Sequence, residues 1–595
     1  VRIISVATNT GEEKQFVAED SNDKPLIEAF VRYVRSFDPD IIAGYETNRR
    51  HWPYLLARSK KLGIKLSVDR ADTEPHTSVF GHISVTGRIN IDFFDFAEDL
   101  QEVKVKTLEN VADFLGVMRL ENRRLVEGVD FYSYWTDPEK RPMLLKFSRE
   151  NVYCVMGVAE AMLDFAMQLS SLVGLPLDHV GAAAVGFRVE WFLIREAQKI
   201  GELVPKRRPR PYIPYAGAVV LKPKPGLHEK IAVLDFKAMY PNIMITYNVS
   251  PDTLIRETEP EPPCGVNVAP EVKHRFRIEP KGFYSKVLSS LINARNEIRP
   301  KLMELDPRSV EYRVLDARQK AIKVITNASY GYTGWVGARW YIKPVAEATT
   351  AWGRQTIFET IELAKKVGLE VVYGDTDSIF VKHDPDKIEK ISSEISDILG
   401  LEIEPDKVYD RILFTEAKKR YCGLLPDGRL DIVGLEVVRG DWAEVAKKVQ
   451  EKVLEIVLKE RSPKKAVSFI RQFISDLREK KVPYKDLIIW KTLTKPIDEY
   501  KVRAPHIEAA KKLMKEGWEL AVGEKIGYVI VSGSGKLYER AKPYVLASLD
   551  EMDMEYYVSK QVMPVASRVL AVFSVAEDEL LPPEKPKTLF DFVKN

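Results

Sequence analysis

Val371-Val372-Tyr373-Gly374-Asp375-Thr376-Asp377-Ser378-Ile379-Phe380-Val381 decides how the rest of the chain is read. Two β-rich apolar segments flank a Gly-Asp-Thr-Asp turn, which predicts a tight hairpin with two carboxylates at its tip. Asp375 and Asp377 repel each other at that range, and a divalent cation is the simplest reason to hold both on a rigid turn. A lone Asp-x-Asp is equally compatible with a solvated Asp-rich turn, so the choice depends on a partner elsewhere. Ile231-Ala232-Val233-Leu234-Asp235-Phe236 supplies one, an apolar strand ending on a single acid, where sheet-based sites are usually built. Pro241, opening the apolar run behind Tyr240, predicts a helix N-terminus just after that strand.

Composition bounds the class without deciding the function. With 595 residues, 45% of them hydrophobic, the chain can bury several cores, roughly three to five domains. Ninety Lys and Arg against 87 Asp and Glu give a net charge of +3, which announces no polyanionic partner but leaves room for local basic clusters. Cys154, Cys264 and Cys422 lie far apart with no Cys-x-x-Cys pair, against both a disulfide framework and a cysteine zinc site. No apolar run is read as approaching the roughly 18 residues of a membrane helix, so no membrane association is expected.

Between the two acid-bearing segments lie two predicted helices. Val287 to Leu305 has helical periodicity, with a kink expected at Pro300, and puts Arg295 and Arg299 on one face. In the run from Ala317 to Gly331, residues Lys320, Lys323, Asn327 and Tyr330 step by three, four and three, drawing one polar stripe along a helix. By itself this is an exposed basic hairpin. Between two aspartate motifs, its cations can clamp the roughly four negative charges of a nucleoside triphosphate.

Asp235-x-x-x-x-Tyr240-Pro241, then Lys323-x-x-x-Asn327-x-x-Tyr330-Gly331, then Tyr373-Gly374-Asp375-Thr376-Asp377-Ser378 resemble, in order, the three polymerase motifs of family B DNA polymerases. The resemblance spans essentially the whole chain. It implies a multidomain α/β and α+β fold, a right-hand polymerase of palm, fingers and thumb with a ribonuclease H-like exonuclease domain. The expected division is 1–180 exonuclease-like, 181–270 first palm part, 271–335 fingers, 336–395 second palm part, 396–580 thumb and 581–595 tail. The implied reaction is template-directed addition of deoxynucleotides to a primer 3′ end by two Mg²⁺ ions, with Mn²⁺ as a substitute. Asp235 and Asp377 hold the metals and Asp375 assists. Arg295, Arg299, Lys323 and Asn327 contact the triphosphate, Tyr330 packs near the nascent base pair, and Lys323 is also a proton donor to departing pyrophosphate. Tyr240 lies under the sugar and leaves no volume for a 2′-hydroxyl.

Further elements follow from the same resemblance. Tyr215-Ala216-Gly217-Ala218, after the basic loop Lys206-Arg207-Arg208-Pro209-Arg210, corresponds to a template-contacting element, and Gly217 permits close backbone approach. Lys418-Lys419-Arg420-Tyr421 corresponds to an element that contacts the primer-template duplex. Glu444 to Glu460 and Pro463 to Glu479 predict thumb helices. In the tail, Lys587-Thr588-Leu589-Phe590-Asp591-Phe592-Val593 resembles a sliding-clamp motif anchored by Leu589 and Phe592, although Pro586 stands at the motif's Gln and Val593 at its last aromatic. Expected partners are primer-template DNA, deoxynucleoside triphosphates and a sliding clamp. The expected location is cytoplasmic and nucleoid-associated.

The amino-terminal segment resembles the 3′→5′ exonuclease domain through Asp38-Pro39-Asp40-Ile41-Ile42-Ala43-Gly44-Tyr45 and Pro53-Tyr54-Leu55. Strands are expected at Ile3–Ala7, Ile41–Gly44 and Ile89–Phe94, with helices at Leu26–Arg35 and Pro53–Lys61. The nuclease carboxylates are not found. The sequence opens downstream of the expected Asp-x-Glu strand, so that strand and the family's amino-terminal domain are expected to be missing. His51 stands at the second motif's acid and Glu46 at its Asn. Phe147 and Asn151 stand at the Tyr and Asp of the third. An imidazole and an amide do not replace carboxylates around two hard Mg²⁺ ions, so no proofreading is expected. Glu46 and His51 read as a surface loop among Arg49 and Arg50 or, less simply, as a new metal pair. The rival readings are a lesion-bypass polymerase and a silent DNA-binding scaffold, and the second conflicts with the presence of all three polymerase acids.

Overall fold

In a computed structural model of the chain, residues 1–19, 22–100, 103, 105–126, 128–518, 520 and 522–582 are described. They form two compact units, one of Val1–Gly217 with Ala238–Gln355, the other of Ala218–Lys237 with the residues from Thr356 onward.

The first unit opens with Ile3–Ala7 paired antiparallel to Glu13–Val17, and Ile41–Gly44 paired parallel to Ile89–Asp92. Helices Lys24–Phe37 and Trp52–Leu62 bury Leu26, Ile27, Phe30, Val31, Trp52 and Leu55 in one core with Leu66 and Val68. The expected strand through Phe94 stops at Asp92. The Asp92 carboxylate accepts the Phe94 N–H at 3.1 Å and caps the helix Phe93–Ala97, a local bond that competes with further strand. The helix Arg141–Val173 corrects the expectation about membrane-length segments. By length and composition it could cross a membrane, because Glu160 and Asp164 are the only charged residues from Tyr153 to Val173. Its Cys154, Val158, Met162, Ala166, Leu169 and Val173 are buried.

The two expected basic helices follow in the same unit as Phe283–Glu304, with Pro300 inside it, and Val310–Thr333. The second begins seven residues before the periodic stretch read from sequence, because Ser309 accepts the Tyr312 N–H at 3.0 Å and caps it. The helix Met239–Thr246 starts where Pro241 predicted.

The second unit is built on a six-stranded antiparallel sheet. Its spatial order is Val371–Asp375, Ser378–Lys382, Gly226–Phe236, Ile403–Phe414, Tyr421–Leu424 and Leu430–Val433. Ile231, Val233, Val372, Tyr373, Phe380, Tyr409, Ile412 and Phe414 make its buried face. Helices Glu444–Glu455 and Pro463–Arg478 form where the sequence periodicity predicts helices, the first continuing as a π-helical turn over Ile456–Glu460. Leu589 and Phe592, the expected clamp anchors, lie outside the described residues.

Candidate active site

The hairpin forms as the sequence predicts. Thr376, at φ +58°, turns the chain between Val371–Asp375 and Ser378–Lys382, and the Asp377 N–H closes the tip on the Asp375 carbonyl at 2.7 Å. Register then joins the two motifs. Ser378 pairs with Asp235, and the Phe236 N–H donates to the Asp377 carbonyl at 3.0 Å, so both acids occupy one edge of one sheet. Burial, with the Asp375 charge adding to it, pushes the Asp377 carboxyl above the usual range. Asp375 is occupied differently. Lys419 Nζ lies 2.6 Å from its Oδ1, and the Thr376 and Tyr373 hydroxyls donate to it at 3.0 and 3.4 Å. Asp235, Asp375 and Asp377 do not bring three ligand oxygens within 4.8 Å of one another.

The Lys418–Tyr421 element divides. Lys418 and Lys419 are exposed, Lys418 donating to the Val220 carbonyl. Arg420 pairs at 3.2 Å with the buried Glu436, which Arg568 also contacts. The Tyr421 ring packs against Phe380, Phe414 and Tyr373 at 5.4, 5.5 and 6.2 Å. Arg420 is thus engaged in an ion pair, and the Tyr421 ring packs on the sheet.

In the first unit, the stripe on Val310–Thr333 stands opposite its buried face of Ala317, Ala321, Ile322, Ile325, Thr326 and Ser329. Lys320, Lys323 and Asn327 are exposed, and Lys320 pairs with Asp316 at 2.7 Å. Arg299 is exposed, whereas Arg295 is half-buried and its Nε donates to Gln319 at 3.2 Å, tying the two helices. Burial and the Arg299 charge lower the Arg295 pKa.

Three tyrosines assigned separately from sequence meet in this unit. Tyr240 and Tyr330 stack at 4.3 Å, and the Tyr330 hydroxyl is 3.4 Å from that of Tyr215. A Cβ on Gly217 would meet no protein atom within 4 Å. Sequence reasoning missed Arg354, which donates to the Ala216 and Gly217 carbonyls at 2.9 and 2.7 Å and pairs with Glu271. Glu190, read from sequence only as part of a structural element Glu190-Trp191-Phe192, is buried and accepts from the Tyr332 hydroxyl and the Arg339 N–H at 3.0 Å while pairing with Arg207. Partners this distant in sequence leave no local pattern to read.

At the positions read as the second nuclease motif, Glu46 pairs with Arg50 at 3.3 Å, and Thr47–His51 is a π-helical turn where a loop was expected. At the third motif, the buried Arg123 lies 5.1 Å over the Phe147 ring and donates to the Asn151 side chain. Two nearby acids were not singled out from sequence. Asp92 accepts the Asn48 and Phe94 N–H groups, and burial reinforced by Asp92 pushes Asp95 up to about 6.

The profile of DNA polymerase family B matches residues 175–573, and that of the family's exonuclease domain matches residues 5–111. The chain is 52% identical over 594 residues to DNA polymerase 2 of Aeropyrum pernix, covering 100% of this chain and 74% of that protein. It is 41% identical to the DNA polymerase of Archaeoglobus fulgidus, covering 97% of this chain and 74% of that one. The solved structure of the family B DNA polymerase from Pyrobaculum calidifontis is similar at a TM-score of 0.85 and 49% identity, over 97% of this chain and 75% of that one. With the ordered motifs and the shared sheet edge of their acids, these likenesses show that the chain belongs to DNA polymerase family B and is a DNA-directed DNA polymerase.

Proposed function

We propose that this polymerase works with two Mg²⁺ ions, Mn²⁺ substituting, held chiefly by Asp235 and Asp377, and that it does not proofread. The observation that carries the reading is the pairing of Gly226–Phe236 with Ser378–Lys382, which sets both acids on one sheet edge. The donors suit a hard divalent cation. They are carboxylate oxygens, and Asp377 is poorly solvated beside the negative Asp375, a cost that a cation removes. When bound, such ions lower the pKa of the primer 3′-hydroxyl and neutralise the charge on leaving pyrophosphate.

The protein's own groups do the rest. Arg299 and Lys323, exposed cations, take the triphosphate oxygens, with Asn327 alongside and Arg295 bracing the helix pair. Lys323 supplies the proton to departing pyrophosphate. Tyr240, stacked on Tyr330, excludes a 2′-hydroxyl. Lys418 and Lys419 touch the duplex, and Tyr215 with Gly217 the template. Lys419 already pairs with Asp375, so duplex binding and the charge beside Asp377 are coupled through one side chain. The six-part division read from sequence, a sliding clamp bound through Leu589 and Phe592, and action on nucleoid DNA complete the proposal. Deleting Thr588 to Asn595 removes clamp stimulation if the tail reading is right and leaves it unchanged if not.

Loss of proofreading is supported by the partners at the third nuclease motif, where Arg123 also pairs with the neighbouring Glu150 at 3.8 Å. Arg123 occupies Asn151 and Phe147, where a metal needs carboxylates. Primer extension with Mg²⁺ on matched and 3′-mismatched primers tests both halves: extension of the first is expected, with no nucleotide released from the second.

A further inference from the structure

Among the described residues, one group of three His, Cys, Asp or Glu side chains brings its ligand atoms within 4.8 Å of one another: His82, Asp178 and His179. None belongs to the polymerase or nuclease motifs. His82 lies on the tip of the hairpin formed by His76–Thr77 and Ile83–Ser84, whose turn is closed by the Ser78 N–H donating to the His82 carbonyl at 2.7 Å. Asp178 and His179 sit in the first turn of the helix Leu177–Ala182.

Three details of this cluster suit a metal better than a plain packing contact. His82 is only 3% exposed, and its Nε2 is buried without a hydrogen-bond partner, which is costly for an imidazole nitrogen. The other ring nitrogen, Nδ1, is 2.6 Å from the Ser78 hydroxyl oxygen, which itself accepts the Phe80 N–H at 3.2 Å. With Nδ1–H donating to that oxygen, Nε2 presents a lone pair toward the cluster, the outer-shell arrangement that fixes a histidine ligand's tautomer. Nε2 also stands 3.6 Å from Asp178 Oδ2, too long for a hydrogen bond. It is close to the roughly 3.4 Å between two ligands that each lie about 2.1 Å from a tetrahedral zinc ion. The His179 ring, 5.1 Å from that of His82 between centroids, completes the set, and both Asp178 and His179 are partly exposed, which leaves an entry path.

We propose that His82, Asp178 and His179 bind one transition-metal ion of the zinc class, pinning the 76–84 hairpin to the helix Leu177–Ala182 independently of nucleotide addition. Two imidazoles and one carboxylate are borderline ligands that favour such an ion over Mg²⁺, and a solvent molecule takes the open fourth position.

The test uses the full chain stripped with chelator and kept in excess Mg²⁺, so that the hard-oxygen polymerase site does not compete for the probe. Co²⁺ alone is titrated and its visible ligand-field absorption followed, with Zn²⁺ then added to displace it. One equivalent of Co²⁺ is expected, with bands lost on Zn²⁺ addition, and Zn²⁺ raises the thermal midpoint. In His82→Gln and in His179→Ala the affinity falls by at least about a hundredfold, more than loss of an outer-shell partner costs, and the Zn²⁺ effect on the midpoint disappears. Nucleotide incorporation in Mg²⁺ is unchanged in both variants. His179 is partly exposed, so its replacement spares the fold even where that of the buried His82 does not. Absence of stoichiometric Co²⁺ binding, or binding undiminished in His179→Ala, overturns the proposal.

Discussion

At the scale of single residues, the site works against the stability of the sheet that carries it. Burial and the Asp375 charge hold the Asp377 carboxyl above its unfolded value, so folding takes up a proton. The penalty is absent below the unfolded pKa and complete once pH exceeds the folded one. Asp377→Asn is therefore expected to raise the thermal midpoint at neutral pH without divalent metal, and to lose that advantage in acid. The same change should cut incorporation by about a hundredfold to a thousandfold, the scale seen when one charge-stabilising catalytic group is removed. A lowered midpoint would contradict the first expectation. Protons and metal compete for this carboxylate, so the Mg²⁺ needed for half-maximal rate should rise as pH falls. Tyr240→Ala should admit ribonucleotides about tenfold to a hundredfold more readily, the range of steric discrimination in a shaped pocket, measured as the ratio of kcat/KM for paired substrates. The acids were legible because Asp235 stands at the end of an apolar strand and Asp375 and Asp377 sit at the hairpin tip between two more. The state of Asp375 was not, since Lys419, its partner, reaches it from 44 positions away.

Among elements, the helix Val310–Thr333 carries one exposed lysine proposed to meet the nucleotide and one that is ion-paired. Lys323 is exposed, whereas Lys320 is paired with Asp316. Lys323→Ala should reduce kcat/KM for nucleotide by about a hundredfold or more, through both rate and affinity. Lys320→Ala should change it far less, because an exposed i,i+4 pair is worth only a few tenths of a kcal/mol. Equal effects would show that the stripe acts as a diffuse field. The loop at Ala216 and Gly217 is held by Arg354, so Arg354→Ala should weaken primer-template binding and cost about 1–3 kcal/mol from its lost hydrogen bonds, read by fluorescence anisotropy and denaturant unfolding. Helix spans were legible from periodicity, but their starts depended on caps such as Ser309. Asp92 ended a strand early for the same reason, a side chain bonding its own backbone.

For the whole molecule, motif order carried the architecture. The hairpin, the acid-bearing strand and the basic helices appear where the sequence placed them, while contacts spanning a hundred residues or more, such as Glu190 with Tyr332, were invisible. Composition misled once, over Arg141–Val173, because a search for unbroken apolar runs passes over a helix interrupted by two acids. The central claim is that one strand-borne and one hairpin-borne carboxylate serve template-directed addition in a polymerase with no working nuclease. The direct measurement is single-nucleotide incorporation with Mg²⁺ on a matched and a 3′-mismatched primer, for the natural chain and for Asp235→Asn and Asp377→Asn. The account predicts that Asp235→Asn and Asp377→Asn each extend the matched primer at least about a hundredfold more slowly than the unsubstituted chain, and that none of the three releases a nucleotide from the mismatched end. Extension by either variant at close to the unsubstituted rate, or excision by the unsubstituted chain, would contradict it.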